Sequence, residues 1–217
     1  MVALTLDLHM SKPFGWTQIA IAYLLLETAL WTEGGAQQIA SLAAALWIVL
    51  TTLFTRRSPR QLGLGAAGFR GALIAVPIAA VAAAVILTVA WLTGTLHSLY
   101  TTRPPLWRGA GYAIWSLVQE FILNSFFYVT LEELLHGHRN ALLATVVLFS
   151  AAHLPNLVLV AATVVAAVFF VSVFQRWRNI YPLAIAHAML GLSLAASVPD
   201  PVLRHMRVGI GFLHFVR

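Results

Sequence analysis

Cysteine is absent and charge is scarce: no Cys occurs in 217 residues, and only 9% are Asp, Glu, Lys or Arg. Without cysteine there is no disulfide framework and no redox compartment to read. A soluble domain of this size usually carries about 25% charged residues to cover its surface. Here 60% of the residues are apolar and the mean hydropathy is +0.86, so an apolar core would have no polar shell. The remaining option is a chain solvated by lipid. The net charge of +6 is spread singly or in small groups between apolar stretches, as on the loops of a membrane protein, and this excludes a nucleic-acid-binding surface. HExxH is missing, which argues against a zincin-type metalloprotease. An Asp-rich diphosphate-binding motif is missing too, which argues against magnesium-dependent ionisation of a diphosphate. No internal repeat and no low-complexity tail is present.

What remains is apolar helix. A spanning helix needs about 20 mostly apolar residues, and seven stretches approach that length: 14–31, 39–54, 72–92, 109–131, 141–154, 157–174 and 181–198. Pro155 between the fifth and sixth cannot donate its backbone N–H, so a break or tight turn is expected there. Residues 208–216 are too short to span and are expected at the interface. Residues 1–13 mix Asp7, His9 and Lys12 with apolar residues and lack the pattern of a cleavable signal. The expectation is an all-α, polytopic transmembrane bundle of about seven helices, forming a single membrane domain over 1–217 in which 1–108 supplies N-terminal helices. Cytoplasmic loops are enriched in Lys and Arg. With the N-terminus inside, the inner loops hold Lys12, Arg56, Arg57, Arg60, Arg70, Arg139, Arg176 and Arg178, against Arg103, Arg108, Arg204, Arg207 and Arg217 outside.

An ionisable side chain in the bilayer costs about 2.5–3.5 kcal/mol even on lenient insertion scales and marks function by default. Glu120, His153 and His187 qualify best. Glu27 lies near the end of its stretch and can reach the headgroup region. Steps of four give Tyr112, Ser116, Glu120, Asn124 and Tyr128 on one helix face. That face must turn to the bundle interior, since lipid would leave every group unsatisfied. Glue between helices is the competing role for such a stripe, yet glue rarely requires a carboxylate. Two histidines and a carboxylate suit either of two chemistries: activation of a water with an oxyanion stabilised beside it, or a facial-triad metal. Spacing leaves both open, because the three residues come from different helices. Glu132, Glu133, His136, His138 and Arg139 form a second titratable cluster. It sits where the fourth helix meets a polar loop and reads as a solvated helix end rather than an active centre.

In this order, the residues resemble the CPBP family of CAAX prenyl endopeptidases and bacteriocin-processing or immunity proteins. That family's pattern is Glu-Glu-x-x-x-Arg, then Phe-x-x-x-His, then His-x-x-x-Asn on a later helix. The counterparts are Gln119-Glu120 with Asn124, Phe149 with His153, and His187 with Gly191, and the likeness covers about 109–198. The resemblance implies a four-helix core and a glutamic-type intramembrane endopeptidase. In it the first Glu and the second-motif His activate water, while the third-motif His and Asn hold the oxyanion. Three departures touch that chemistry: Gln119 cannot accept a proton at neutral pH, Asn124 removes a cation, and Gly191 removes a donor.

The site expected is Glu120, His153 and His187 converging within about one water's reach. Gln119, Asn124, Asn156, Ser116 and Tyr112 support it, and it uses no cofactor or metal. Its partners would be the lipid bilayer and a membrane-embedded peptide, prenyl or lipid substrate. Peptide hydrolysis leads. A fold reused for proton donation to an isoprenoid is a second possibility, since a buried acid without a cationic partner suits donation and Tyr112, Trp115, Phe121, Phe126, Phe127 and Tyr128 surround it. A non-catalytic immunity or binding relative is the third.

Overall fold

A computed structural model describes residues 12–99 and 105–215. The lead-in read from 1–13 therefore lies largely outside the described residues, as do Arg103, Val216 and Arg217. No strand occurs among the described residues. The helices run α1 (Lys12–Trp31), α2 (Gly34–Phe54), α3 (Phe69–Ala72), α4 (Ala75–Thr93), α5 (Pro105–Glu120), a π-helix (Phe121–Tyr128), α6 (Val129–Leu134), α7 (His138–Ala151), α8 (Leu157–Trp177), α9 (Tyr181–Ser197), α10 (Asp200–Leu203) and α11 (Gly209–Leu213).

The all-α expectation holds, and each of the seven apolar stretches is helical. Among the described residues, fewer than seven helices are long and apolar enough by themselves to cross a bilayer. Four segments are long and apolar enough to cross a bilayer: Gly34–Phe54, Phe69–Thr93, Ala110–Leu134 and Leu157–Trp177. A fifth is reached if Tyr181–Ser197 and Asp200–Met206, bent by 117°, make one broken span. At 14 residues α7 covers about 21 Å at 1.5 Å per residue, short of the ~30 Å hydrocarbon layer. In α1, polar Thr17, Gln18, Glu27 and Thr28 dilute the apolar character.

Local chemistry explains the breaks. Pro77 cannot return a hydrogen bond to Leu73, and the chain makes a tight turn from α3 into α4 there, with Val76 N donating to Leu73 O at 3.0 Å. The expected break between α7 and α8 falls at Leu154-Pro155, a cis peptide. Asn156 then caps α8, its Oδ1 accepting from Leu159 N at 3.2 Å. Pro182 opens α9 at a first-turn position, where its missing N–H costs nothing.

In space, α4 and α5 flank α9, α1 pairs with α2, and α7 pairs with α8. The π-helix lies among α2, α7 and α8, and every residue from Leu123 to Tyr128 is buried. Around it Phe126, Phe127, Phe170, Phe174 and Leu183 form the packed core. At one end the basic loops gather. Arg57 makes a two-pronged pair with Glu133, at 3.0 and 2.8 Å, and reaches Thr130 Oγ1 at 3.0 Å. Arg178 pairs with Glu132, which also accepts from Tyr128 Oη at 2.7 Å and contacts His138 Nδ1 at 2.8 Å. Asn179 Nδ2 donates to Gly65 O at 2.7 Å. The cluster read as a solvated helix end is thus a clamp between loops far apart in sequence. At the opposite end, His97 N donates to Ala196 O and His214 pairs with Glu33.

Candidate active site

Glu120 ends the regular part of α5, immediately before the chain widens into the π-helix, and it is fully buried. Both of its carboxylate oxygens are engaged. Oε1 lies 2.8 Å from His187 Nδ1, and Oε2 accepts from Asn124 Nδ2 at 2.7 Å. Asn124 occupies the position of the family's Arg, so an amide and an imidazole stand where a guanidinium was expected. An ionised carboxylate can only accept. With Glu120 ionised, the shared hydrogen sits on His187 Nδ1 and Nε2 of that ring keeps its lone pair.

Packing fixes His187 from the other side. The Phe170 ring is stacked on the imidazole with centroids 5.3 Å apart and 14° between planes, and Phe149 meets it edge-on at 6.5 Å. Phe149 also packs against His153, at 4.9 Å, so the two imidazoles flank one phenyl ring. His153 Nδ1 lies 2.7 Å from the Phe149 carbonyl oxygen. A carbonyl only accepts, so Nδ1 again carries the hydrogen and Nε2 again has the free pair. His153 makes no hydrogen bond to Glu120 or His187. The three residues share one locality, but Glu120 and His187 form the directly bonded pair.

A cavity of about 1860 Å³ adjoins this pair, well above the 300–1,000 Å³ of an ordinary ligand site. Its wall is overwhelmingly apolar, and among its polar lining groups are Tyr112, Gln119, His153 and His187. Glu120 does not line it: the carboxylate is one layer behind His187. Of the aromatics expected around the acid, Tyr112, Trp115, Phe121 and Phe127 line the cavity. Phe126 and Tyr128 belong to the closed core.

The supporting residues divide. Gln119 is half-buried on the wall, and Asn124 touches the carboxylate. Ser116 is fully buried one turn before Glu120, and its Oγ has no partner. Asn156 serves the fold instead, capping α8 and donating from Nδ2 to Leu203 O at 2.9 Å and Arg207 O at 3.1 Å. The stripe of fours also stops short of its expected end. A π-helix closes i→i+5 rather than i→i+4 bonds, so its wider turn carries Tyr128 away from the site and into the Glu132 and Arg178 clamp.

Two features escaped the sequence. Phe170 is one of many aromatics in apolar helices and carries no distinguishing signal. Gly191 reads only as the loss of an Asn, whereas in the fold Tyr112 fills its place. A Cβ on Gly191 would lie 2.0 Å from Tyr112 Oη and 2.8 Å from two ring carbons.

Comparison with curated proteins returns no match, and comparison with solved structures returns none. Residues 104–193 do match a family model, described as type II CAAX prenyl endopeptidase Rce1-like. That stretch begins at α5 and ends in α9, and it contains Glu120, His153 and His187. The CPBP likeness carried by the three motifs therefore stands as a likeness of this stretch: residues 104–193 are similar to the Rce1-like CAAX prenyl endopeptidases.

Proposed function

We propose that the protein is an intramembrane endopeptidase in which His187, backed by Glu120, is the general base that activates water. The observation that carries this is the 2.8 Å contact between Glu120 Oε1 and His187 Nδ1 at the edge of a large apolar cavity. The family's first Glu is Gln119 here and Glu120 stands behind His187, so the proton acceptor that this pair presents to the cavity is an imidazole. Its partner carboxylate fixes ring orientation and tautomer and stabilises the imidazolium once formed, as the buried Asp does in a Ser-His-Asp triad.

The steps balance as ordinary amide hydrolysis. Water gives a proton to His187 Nε2 while its oxygen bonds the peptide carbonyl carbon, and the carbonyl π pair moves onto oxygen. The C–N bond then breaks, His187 returns the proton to the leaving nitrogen, and a carboxylic acid and an amine result. His153, its Nδ1 tied to Phe149 O, presents Nε2 as a second acceptor that orients the water. The apolar cavity suits a prenyl chain or a membrane-embedded peptide segment. The single membrane domain is oriented with the Arg57, Arg70, Arg176 and Arg178 end in the cytoplasm, following the loop charges.

The test is cleavage of a prenylated peptide by purified protein in lipid nanodiscs, followed by mass spectrometry of peptide and lipid products. Wild type should release a shortened peptide, and His187→Ala should release none. Alteration of an isoprenoid with no peptide cut would replace this proposal with proton-donor chemistry. Binding without any product would leave a non-catalytic relative.

A further inference from the structure

The two imidazoles in the cavity wall supply no hydrogen-bond donor to it in their neutral forms. Both imidazoles have their Nδ1 hydrogens committed, to Glu120 Oε1 and to Phe149 O, so in their neutral forms both face inward as acceptors. The proton that His187 acquires is needed by the leaving amine. Negative charge developing on a carbonyl oxygen would then lie in an apolar enclosure facing two lone pairs, an arrangement that opposes the reaction.

One hydroxyl corrects this. Tyr112 Oη forms no hydrogen bond among the described residues, yet its residue lines the cavity with His153 and His187. It sits over Gly191, within 2.0 Å of where a Cβ would stand. Gly191 follows His187 by four residues on the same face of α9, about 6 Å along the helix. The phenol is therefore held one turn from the proposed base by a glycine that leaves it room. A polar hydrogen without a partner in an apolar wall is costly unless a ligand completes it.

We propose that Tyr112 is a catalytic residue whose hydroxyl donates to the carbonyl oxygen of the bound peptide as that oxygen becomes anionic. Tyr112 and Gly191 then act as one unit: the side chain absent from α9 is supplied across the interface from α5. This rests on the endopeptidase proposal, and the experiment separates the two.

Two non-cleavable versions of a prenylated peptide serve as probes in nanodiscs. In one, a phosphinate replaces the scissile amide and mimics the tetrahedral anion. In the other, a ketomethylene group keeps a neutral carbonyl. Tyr112→Phe should weaken phosphinate binding by about 10²-fold, the usual effect of one oxyanion donor, and leave ketomethylene affinity within about threefold. Gly191→Ala, which displaces the phenol without removing it, should act in the same direction. Unchanged phosphinate affinity in Tyr112→Phe overturns the proposal. Equal weakening of both probes overturns it as well, because that marks a packing role. So does loss of phosphinate selectivity in Gln119→Leu alone. If wild type prefers the phosphinate through Tyr112 but cuts no peptide, the donor stands and the peptidase falls. If wild type binds neither probe, both fall.

Discussion

Glu120 is fully enclosed, and a carboxylate in that position must be held by partners or lose its charge. Its partners are one imidazole and one amide, too few for a structural anchor and suited to a proton relay. Glu120→Gln keeps the shape and the acceptor facing His187, requires the Asn124 amide to turn its oxygen toward the new NH2, and removes the charge that stabilises an imidazolium. Peptide cleavage should fall by about 10²–10⁴-fold, the range for a positioned acid–base group, while the melting temperature stays within a few degrees. A rate assay beside a thermal melt in detergent checks both. The glycine facing Tyr112 gives a second expectation. Gly191→Ala drives a methyl group into a ring at 2.0–2.8 Å, and overpacking of that kind costs about 1–3 kcal/mol. Gly191→Ala combined with Tyr112→Ala should recover most of that stability in denaturation, without recovering activity.

Elements were legible where burial and helix period coincide. Seven apolar stretches became helices, Pro155 marked a break, and Glu120 and His187 stood out because ionisable groups are rare in such stretches. The widening of the fourth stretch into a π-helix was not legible, since Phe121–Tyr128 has the same apolar pattern either way. That change in winding separated Tyr128 from the stripe. The bonds of Asn156 were not legible either: the tight turn points its side chain at α8 and the 203–207 segment. Asn156→Ala removes a helix cap and two donated bonds, and should destabilise the protein by about 2 kcal/mol. Hydrogen exchange should rise at the start of α8 and over residues 203–209, with the π-helix still protected. Unchanged exchange in the 203–209 segment would refute the tie.

At the scale of the molecule, the pairs Arg57–Glu133 and Arg178–Glu132 close one end around loops drawn from residues 56–68, 130–138 and 175–181. No local signal in the sequence joins those loops, because each pairing depends on how helices return through the bundle. The same end carries Arg56, Arg57, Arg60, Arg176 and Arg178, the loop charges on which the proposed cytoplasmic orientation rests. The chain has no native cysteine, so single-cysteine labelling has no background. Arg60→Cys should react with a membrane-impermeant maleimide only after the inner face is opened, and Leu96→Cys, at the opposite end, should react on intact cells. The reverse pattern would invert the topology.

The central claim is that the Glu120 and His187 pair delivers water to a peptide carbonyl. Its most direct test is cleavage of a prenylated peptide in H₂¹⁸O by wild type and Glu120→Gln, with mass spectrometry of the new C-terminus. The account predicts one ¹⁸O in the new carboxyl group for wild type and a rate lower by about 10²–10⁴-fold in the variant. An unlabelled carboxyl group, or a variant that cuts as fast as wild type, would contradict it.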